Sequence, residues 1–151
     1  DNSIRGRRTG LILPVNVKTM PHPGFPTDMQ PQMATMLCCA GGTSIISEGV
    51  WDNRFKYVDE LRKMGANIQV DGKVAVIEGV EQLTGAPVRA LDLRAGAAML
   101  IAGLMADGCT EVEDIHHIER GYSDLVEKLN RLGADIRKVT CSDNETERAL
   151  S

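Results

Sequence analysis

Aromatic residues are scarce in this 151-residue chain: one tryptophan, two tyrosines and two phenylalanines, 3% in all. A core must therefore rest on Leu, Ile, Val, Met and Ala, and the 42% hydrophobic content suffices for one ordinary domain or a piece of a larger one. A basic, aromatic-lined face is also missing, and the net charge is −4. Nothing in that balance recommends nucleic acid or a membrane surface as a partner. No apolar run approaches the ~20 residues that span a bilayer; the longest, AGAAMLIAGLMA, has the length of a buried helix. No N-terminal stretch reads as a signal peptide. Cys38, Cys39, Cys109 and Cys141 form no C-x-x-C pair, and no Cys, His, Asp or Glu group, His116-His117 included, has metal-ligand spacing. Walker and Rossmann glycine spacings are absent, as is any arguable Ser–His–Asp or Cys–His arrangement. The expectation is a cytoplasmic protein with buried free thiols, no metal and no cofactor.

What the chain does contain is a repeat. TDMQPQMATMLCCAGGTSIISEGVWDNRFKYVDELRKMGANIQV lies over LDLRAGAAMLIAGLMADGCTEVEDIHHIERGYSDLVEKLNRLGADIRKV. Asp28 falls on Asp92, Gly42-Thr43 on Gly108-Cys109-Thr110, Arg54 on Arg120, and ELRKMGANI on KLNRLGADI. The offset grows only from 64 (Asp28 to Asp92) to 68 (Gly65 to Gly133), so small loop insertions account for it. An ordered series of matches with matching helix ends is far more specific than any single pair.

Each unit reads as β-α-β-α-β-β. An acid suited to a helix N-cap opens an apolar helix that stops at a glycine. TSIISE or TEVED follows as a half-buried strand. A loop bearing Arg54 or Arg120 leads into a second helix, in which Val58, Leu61 and Met64, or Leu125, Leu129 and Leu132, share a face. Gly65 and Gly133 close these helices, and NIQVDGKVAVIEG reads as a hairpin turned by Asp71-Gly72. The opening strands lie near PVNVKT and PVRALD. Two units packing through their helices give an α/β (α+β) arrangement with helices inside and sheets outside. The units span about 12–79 and 86–139, and 140–151 reads as a polar tail.

The repeat sets the same chemistry in register twice: an acid before the first helix, Asp28 or Asp92, and an arginine before the second, Arg54 or Arg120. Arg94 follows Asp92 by two residues. Arginines at loop–helix junctions of an acidic protein suit a carboxylate or phosphate ligand. The plainer readings stay open: each acid as a helix cap, each arginine as a solvated side chain. Asp28 has a particular mount, since Pro21, Pro23 and Pro26 stiffen the stretch before it.

The motifs PGFPTDMQ, WDNRF, ELRKMGA, DLRAGAA, AGLMADGCTEV and HIERGY, spread from about Ile12 to Val139, resemble the C-terminal part of the UDP-N-acetylglucosamine enolpyruvyl transferases (1-carboxyvinyltransferases). That resemblance implies an inside-out α/β barrel built from β-α-β-α-β-β units, about two of them here. It implies transfer of the enolpyruvyl group of phosphoenolpyruvate to the sugar 3′-hydroxyl with release of phosphate, the first committed step of bacterial peptidoglycan synthesis. On it, Asp28 matches the aspartate that contacts the sugar and serves as base, and Val50 a position whose backbone contacts the sugar nucleotide. Arg54, Arg94 and Arg120 match arginines around phosphoenolpyruvate, and Asp92 a second catalytic acid at the methylene carbon. The family enzymes are considerably longer, with an N-terminal domain carrying a Lys-Asn pair, further arginines and a loop with a reactive cysteine. None of these has a match here, and Cys38 and Cys39, on an apolar helix, do not stand in for that cysteine. Trp51 and Glu119 stand where the family has Phe or Tyr and Asp. The expectation is one wall of a cleft, not competent alone, whose partners are the two substrates and the missing domain.

Three alternatives remain at this level. A shikimate-pathway enolpyruvyl transferase would share the fold and take a phosphorylated sugar acid; PGFPTDMQ argues against it. A nucleic-acid module of the type that includes RNA-phosphate cyclases would need a basic face. A non-catalytic remnant would keep only the fold.

Overall fold

The structure, a computed structural model, describes residues 5–7 and 10–140; Cys141 and tail residues 141–151 lie outside the described residues. The chain forms two compact units, Asp1–Ile118 and Glu119–Ser151.

The first unit opens with the expected series: β1 (Asn16–Lys18), α1 (Gln30–Leu37), β2 (Thr43–Ser47), α2 (Val58–Lys63), β3 (Asn67–Asp71) and β4 (Val74–Glu78). β1 pairs parallel with β2, and β4 lies antiparallel between β2 and β3, giving the order β1-β2-β4-β3. Alternation along the strands decides the faces. Ser44, Ile46, Ile68, Ala75 and Ile77 point into the core, whereas Thr43 and Ile45 face solvent. The hairpin forms one residue later than expected: Asp71 pairs with Val74, so Gly72-Lys73 is the two-residue loop and Gly72 has φ +55°.

The unit continues with β5 (Pro87–Arg89), α3 (Leu93–Met105) and β6 (Glu111–Glu113). β5 pairs parallel with β6 as β1 does with β2. The same backbone bond closes both pairs, Thr19 N–H to Ser47 O and Ala90 N–H to Glu113 O, each 2.9 Å. α1 packs on α3, through small residues such as Ala34, Ala95, Ala98 and Ala102 that allow close approach. Leu37, Ile46, Leu61, Met64, Ile77 and Met99 are fully buried around them, each side chain worth about 1.5–3 kcal/mol of burial. Aliphatic residues do not carry this core alone, because Phe55 and Tyr57 are also buried and the Tyr57 hydroxyl donates to Gln30 Oε1 at 2.8 Å.

α2 ends in a Schellman motif: Gly65 N–H reaches Arg62 O and Ala66 N–H reaches Leu61 O, with Gly65 at φ +88°. In the second unit α5 (Leu125–Arg131) ends identically, Gly133 N–H on Asn130 O and Ala134 N–H on Leu129 O, with Gly133 at φ +97°. The repeat is thus physical down to its caps. Two expectations fail in the second half. Leu125 and Leu129 are only half-buried and Leu132 is 86% exposed, so the shared face exists but is uncovered. No strand follows Gly133 among the described residues, so no counterpart of the closing hairpin is seen there. α4 (His116–Glu119) spans the division between the units.

The thiols are also more varied than expected. Cys38 is buried, with its thiol pushed up to about 12 by burial, but Cys39 is half-buried and Cys109 exposed; all three are free.

Candidate anion-binding site

Asp28 does not cap α1. It sits in the middle of a 3₁₀ turn, Thr27–Met29, entered from extended Pro26, and the residue preceding α1 is Met29, which offers no side-chain cap. The cap reading fails because the proline-rich stretch delivers a short tight turn before the helix begins; its His22–Pro23 bond is cis. Released from capping, the carboxylate collects arginines. Arg94 Nε donates to Oδ1 at 2.6 Å and Arg94 Nη2 to Oδ2 at 2.8 Å, a two-pronged pairing of planar groups. Arg54 Nη2 donates to Oδ1 at 2.9 Å. The Arg94 hydrogen bond, against a smaller opposing effect of burial, holds the Asp28 carboxyl below its ordinary value, with both guanidinium charges adding to the shift. Arg54 is largely buried, its side chain 14% exposed, while Asp28 remains half in solvent.

Asp92 shows that repeat-equivalent residues need not do the same thing. It is a true N-cap: extended at φ −156°, its Oδ1 accepts the backbone N–H groups of Arg94 and Ala95, each at 2.8 Å. By starting α3 there, Asp92 also fixes where Arg94 leaves the helix. Asp92 and Arg54 line one cavity of about 270 Å³, together with Trp51, Asn53, Tyr57 and Leu91.

Arg54 opens a second 3₁₀ turn, Arg54–Tyr57, after left-handed Asn53 (φ 54°), and its Nε donates to Thr27 Oγ1 at 3.2 Å. The Thr27 hydroxyl in turn donates to Glu48 Oε2 at 3.1 Å. Glu48 Oε1 accepts the N–H groups of Val50 (2.9 Å) and Trp51 (3.0 Å). Glu48 is only 3% exposed; burial pushes its carboxyl up, but bonds from Thr19, Trp51, Val50 and Thr27 outweigh it and the net shift is downward. Gly49 packs so closely on Thr19 O that a Cβ would sit 2.5 Å away. The sequence reading missed both Glu48 and Thr27. A signal existed for Glu48, since Ser44, Ile46 and Glu48 share one phase of β2 and its extension.

Of the six residues singled out by sequence, the first unit thus brings Asp28, Arg54 and Arg94 into contact. It sets Val50 and Asp92 beside them through Glu48 and the cavity. Arg120 belongs to the second unit, where it is exposed between α4 and α5. Among the described residues no His, Cys, Asp and Glu group could hold a metal ion, and no helix is long and apolar enough to cross a membrane.

This geometry has known relatives. The sequence model of EPSP synthase (3-phosphoshikimate 1-carboxyvinyltransferase) matches residues 1–129. UDP-N-acetylglucosamine 1-carboxyvinyltransferase 1 of Clostridium perfringens is 58% identical over 139 residues, 92% of this chain and 33% of that protein. The enolpyruvyl transferase NikO from Streptomyces tendae superposes with a TM-score of 0.80 at 40% identity, over 89% of this chain and 31% of its own. EPSP synthase from Acinetobacter baumannii superposes with a TM-score of 0.56 at 25% identity, over 74% of this chain and 27% of its own. The chain spans about a third of the length of the first of these relatives. With the family model covering most of its residues and its fold shared with solved members, the chain belongs to the EPSP synthase family of enolpyruvyl (carboxyvinyl) transferases.

Proposed function

We propose that this chain forms one wall of an enolpyruvyl transfer site that takes phosphoenolpyruvate and UDP-N-acetylglucosamine. The observation that carries the reading is the Asp28 carboxylate gripped by Arg94 and Arg54. In the transfer, the sugar 3′-oxygen bonds to C2 of phosphoenolpyruvate as its proton leaves to a base and C3 gains a proton. C3 then gives up a proton, the C2–O bond to phosphate breaks and the double bond returns. Asp28 is the base for the hydroxyl, Arg54 and Arg94 hold the carboxylate and phosphate, and Asp92 handles the proton at C3. Because Asp92 Oδ1 is committed to the cap, that proton belongs to Oδ2. The Val50 N–H is likewise committed to Glu48, so its contact with the sugar nucleotide falls to the carbonyl.

A carboxylate held by two guanidinium groups is a poor base. An anionic substrate that claims the arginines would free Asp28 and raise its basicity, so phosphoenolpyruvate itself arms the base. The remaining wall, with its reactive-cysteine loop, comes from a further domain, and the setting is the cytoplasmic start of peptidoglycan synthesis; the three cysteines among the described residues are free, in keeping with a reducing compartment.

The acceptor is tested by titrating the 151-residue chain with UDP-N-acetylglucosamine and, separately, 3-phosphoshikimate, following amide resonances. Saturable shifts around Asp28 and Val50 with the sugar nucleotide alone, weakened in Asp28→Ala, are the expected result. The reverse preference would move the assignment to the shikimate-type branch, which the 54–58% identity to relatives named for the sugar nucleotide argues against.

A further inference from the structure

Glu48 lies just past the end of β2, buried, at the junction of two strings of hydrogen bonds. One oxygen holds the N–H groups of Val50 and Trp51 at 2.9 and 3.0 Å. The other accepts the Thr27 hydroxyl at 3.1 Å. The direction of this relay follows from the ionised state of Glu48: burial pushes its carboxyl up, but the bonds from Thr19, Trp51, Val50 and Thr27 hold it below its ordinary value. Arg54 Nε can only donate and an ionised carboxylate can only accept, so Thr27 Oγ1 accepts from Arg54 and turns its own proton toward Glu48. Its own backbone is pinned too, Glu48 N–H donating to Lys73 O at 2.8 Å and Gly49 N–H to Thr19 Oγ1 at 2.8 Å. The carboxylate is thus rigidly mounted, with the Val50–Trp51 backbone on one side and the Arg54 guanidinium, through one hydroxyl, on the other.

We propose that Glu48 is a positioning residue that couples the placement of Val50 and Trp51 to the orientation of the Arg54 guanidinium, with Thr27 as the relay. The naming of the two ligands rests on the function proposed above; the coupling rests on the geometry alone. Its consequence is that the sugar-nucleotide side and the anion side of the site are not independent: a ligand that turns Arg54 pulls on the backbone at Val50, and the reverse.

The test uses three variants of the 151-residue chain: Thr27→Val, which removes the relay while keeping the shape; Thr27→Ser, which restores the hydroxyl; and Glu48→Gln, which removes the charge and one acceptor. The first readout needs no ligand. In Thr27→Val and Glu48→Gln, the Arg54 Nε–H proton exchanges with solvent about tenfold faster, the change expected when a hydrogen bond to a charged group is lost. The Asp28 carboxyl resonance shifts as Arg54 turns, and Thr27→Ser returns both to wild-type behaviour. Should Glu48→Gln fail to fold, Thr27→Val decides alone. Unchanged Arg54 exchange and Asp28 resonance in a folded Thr27→Val, with β2 and β4 amides as in wild type, would overturn the coupling and leave Glu48 as a loop brace only.

A second readout uses inorganic phosphate as probe. Phosphate shifts the Val50 and Trp51 amides in wild type and Thr27→Ser but not in Thr27→Val. Phosphate shifts at Val50 and Trp51 that persist undiminished in Thr27→Val would also overturn it. If wild type shows the ligand-free coupling but binds neither phosphate nor the sugar nucleotide, this wall does not hold the ligands by itself and the positioning role stands.

Discussion

Asp28 accepts three charge-assisted hydrogen bonds from two arginines and is still more than half exposed. Such an arrangement does little for stability, because solvent screens an exposed pair; its effect is on the proton. Arg94 is the main cause of the depressed carboxyl. Removing it in Arg94→Ala is expected to raise the Asp28 pKa toward the ordinary 3.8, checked by following the carboxyl carbon through an acid titration. The sign carries over to folding. A carboxylate depressed in the folded state contributes stability that is present above its unfolded-state pKa and lost as pH falls through the folded value. Wild type should therefore lose the pair's small contribution only below about pH 4, and Arg94→Ala, which keeps only the Arg54 contact, should show a smaller loss. None of this was legible from spacing. The repeat placed Asp28 opposite Asp92, and a proline-stiffened turn made one a site carboxylate and the other a cap. Glu48 was hidden by composition habits rather than by pattern, since a Glu is seldom buried and the strand phase that buries it was not applied to it.

Helix ends were the most legible elements. Gly65 and Gly133 were placed at C′ from sequence, and both adopt the left-handed conformation with the paired Schellman bonds. Nothing lies within 4 Å of a Cβ built at Gly65, so Gly65→Ala isolates the backbone cost, about 1–2 kcal/mol, measurable by urea unfolding. Asp92 supplies the other element-scale test. Asp92→Ala should lose about 1 kcal/mol through the lost cap, whereas Asp28→Ala, with no cap to lose, should unfold at nearly the wild-type urea midpoint. Equal losses in the two variants would show that the caps have been misassigned. The hairpin was found but slipped by one residue, because Asp-Gly and Gly-Lys both suit a two-residue turn and only the β3–β4 register separates them. Periodicity put Leu125, Leu129 and Leu132 on one face. It says which residues lie together, not what covers them, and Leu132 is exposed.

At the scale of the molecule, the repeat predicted the first β-α-β-α-β-β unit and helices packed inside between the repeats, and the structure shows that order of elements with α1 on α3. After Gly133 the described residues contain no strand. The candidate residues were legible as types, two acids and two arginines in register with Arg94 two residues after Asp92. What joins Asp28, Arg54 and Arg94 is a set of contacts between positions 26 and 66 residues apart, and sequence spacing does not encode them.

The central claim is that the arginines hold Asp28 until an anionic substrate takes them. It is tested most directly by the carboxyl resonance of Asp28 in the 151-residue chain, titrated with acid before and after saturation with phosphoenolpyruvate in the presence of UDP-N-acetylglucosamine. The account predicts that phosphoenolpyruvate shifts the resonance and raises the Asp28 pKa, and that Arg94→Ala, in which Arg54 alone still holds Asp28, shows a smaller change. A resonance and pKa unmoved by phosphoenolpyruvate at millimolar concentration would contradict it and leave the cluster as an ion pair of the fold.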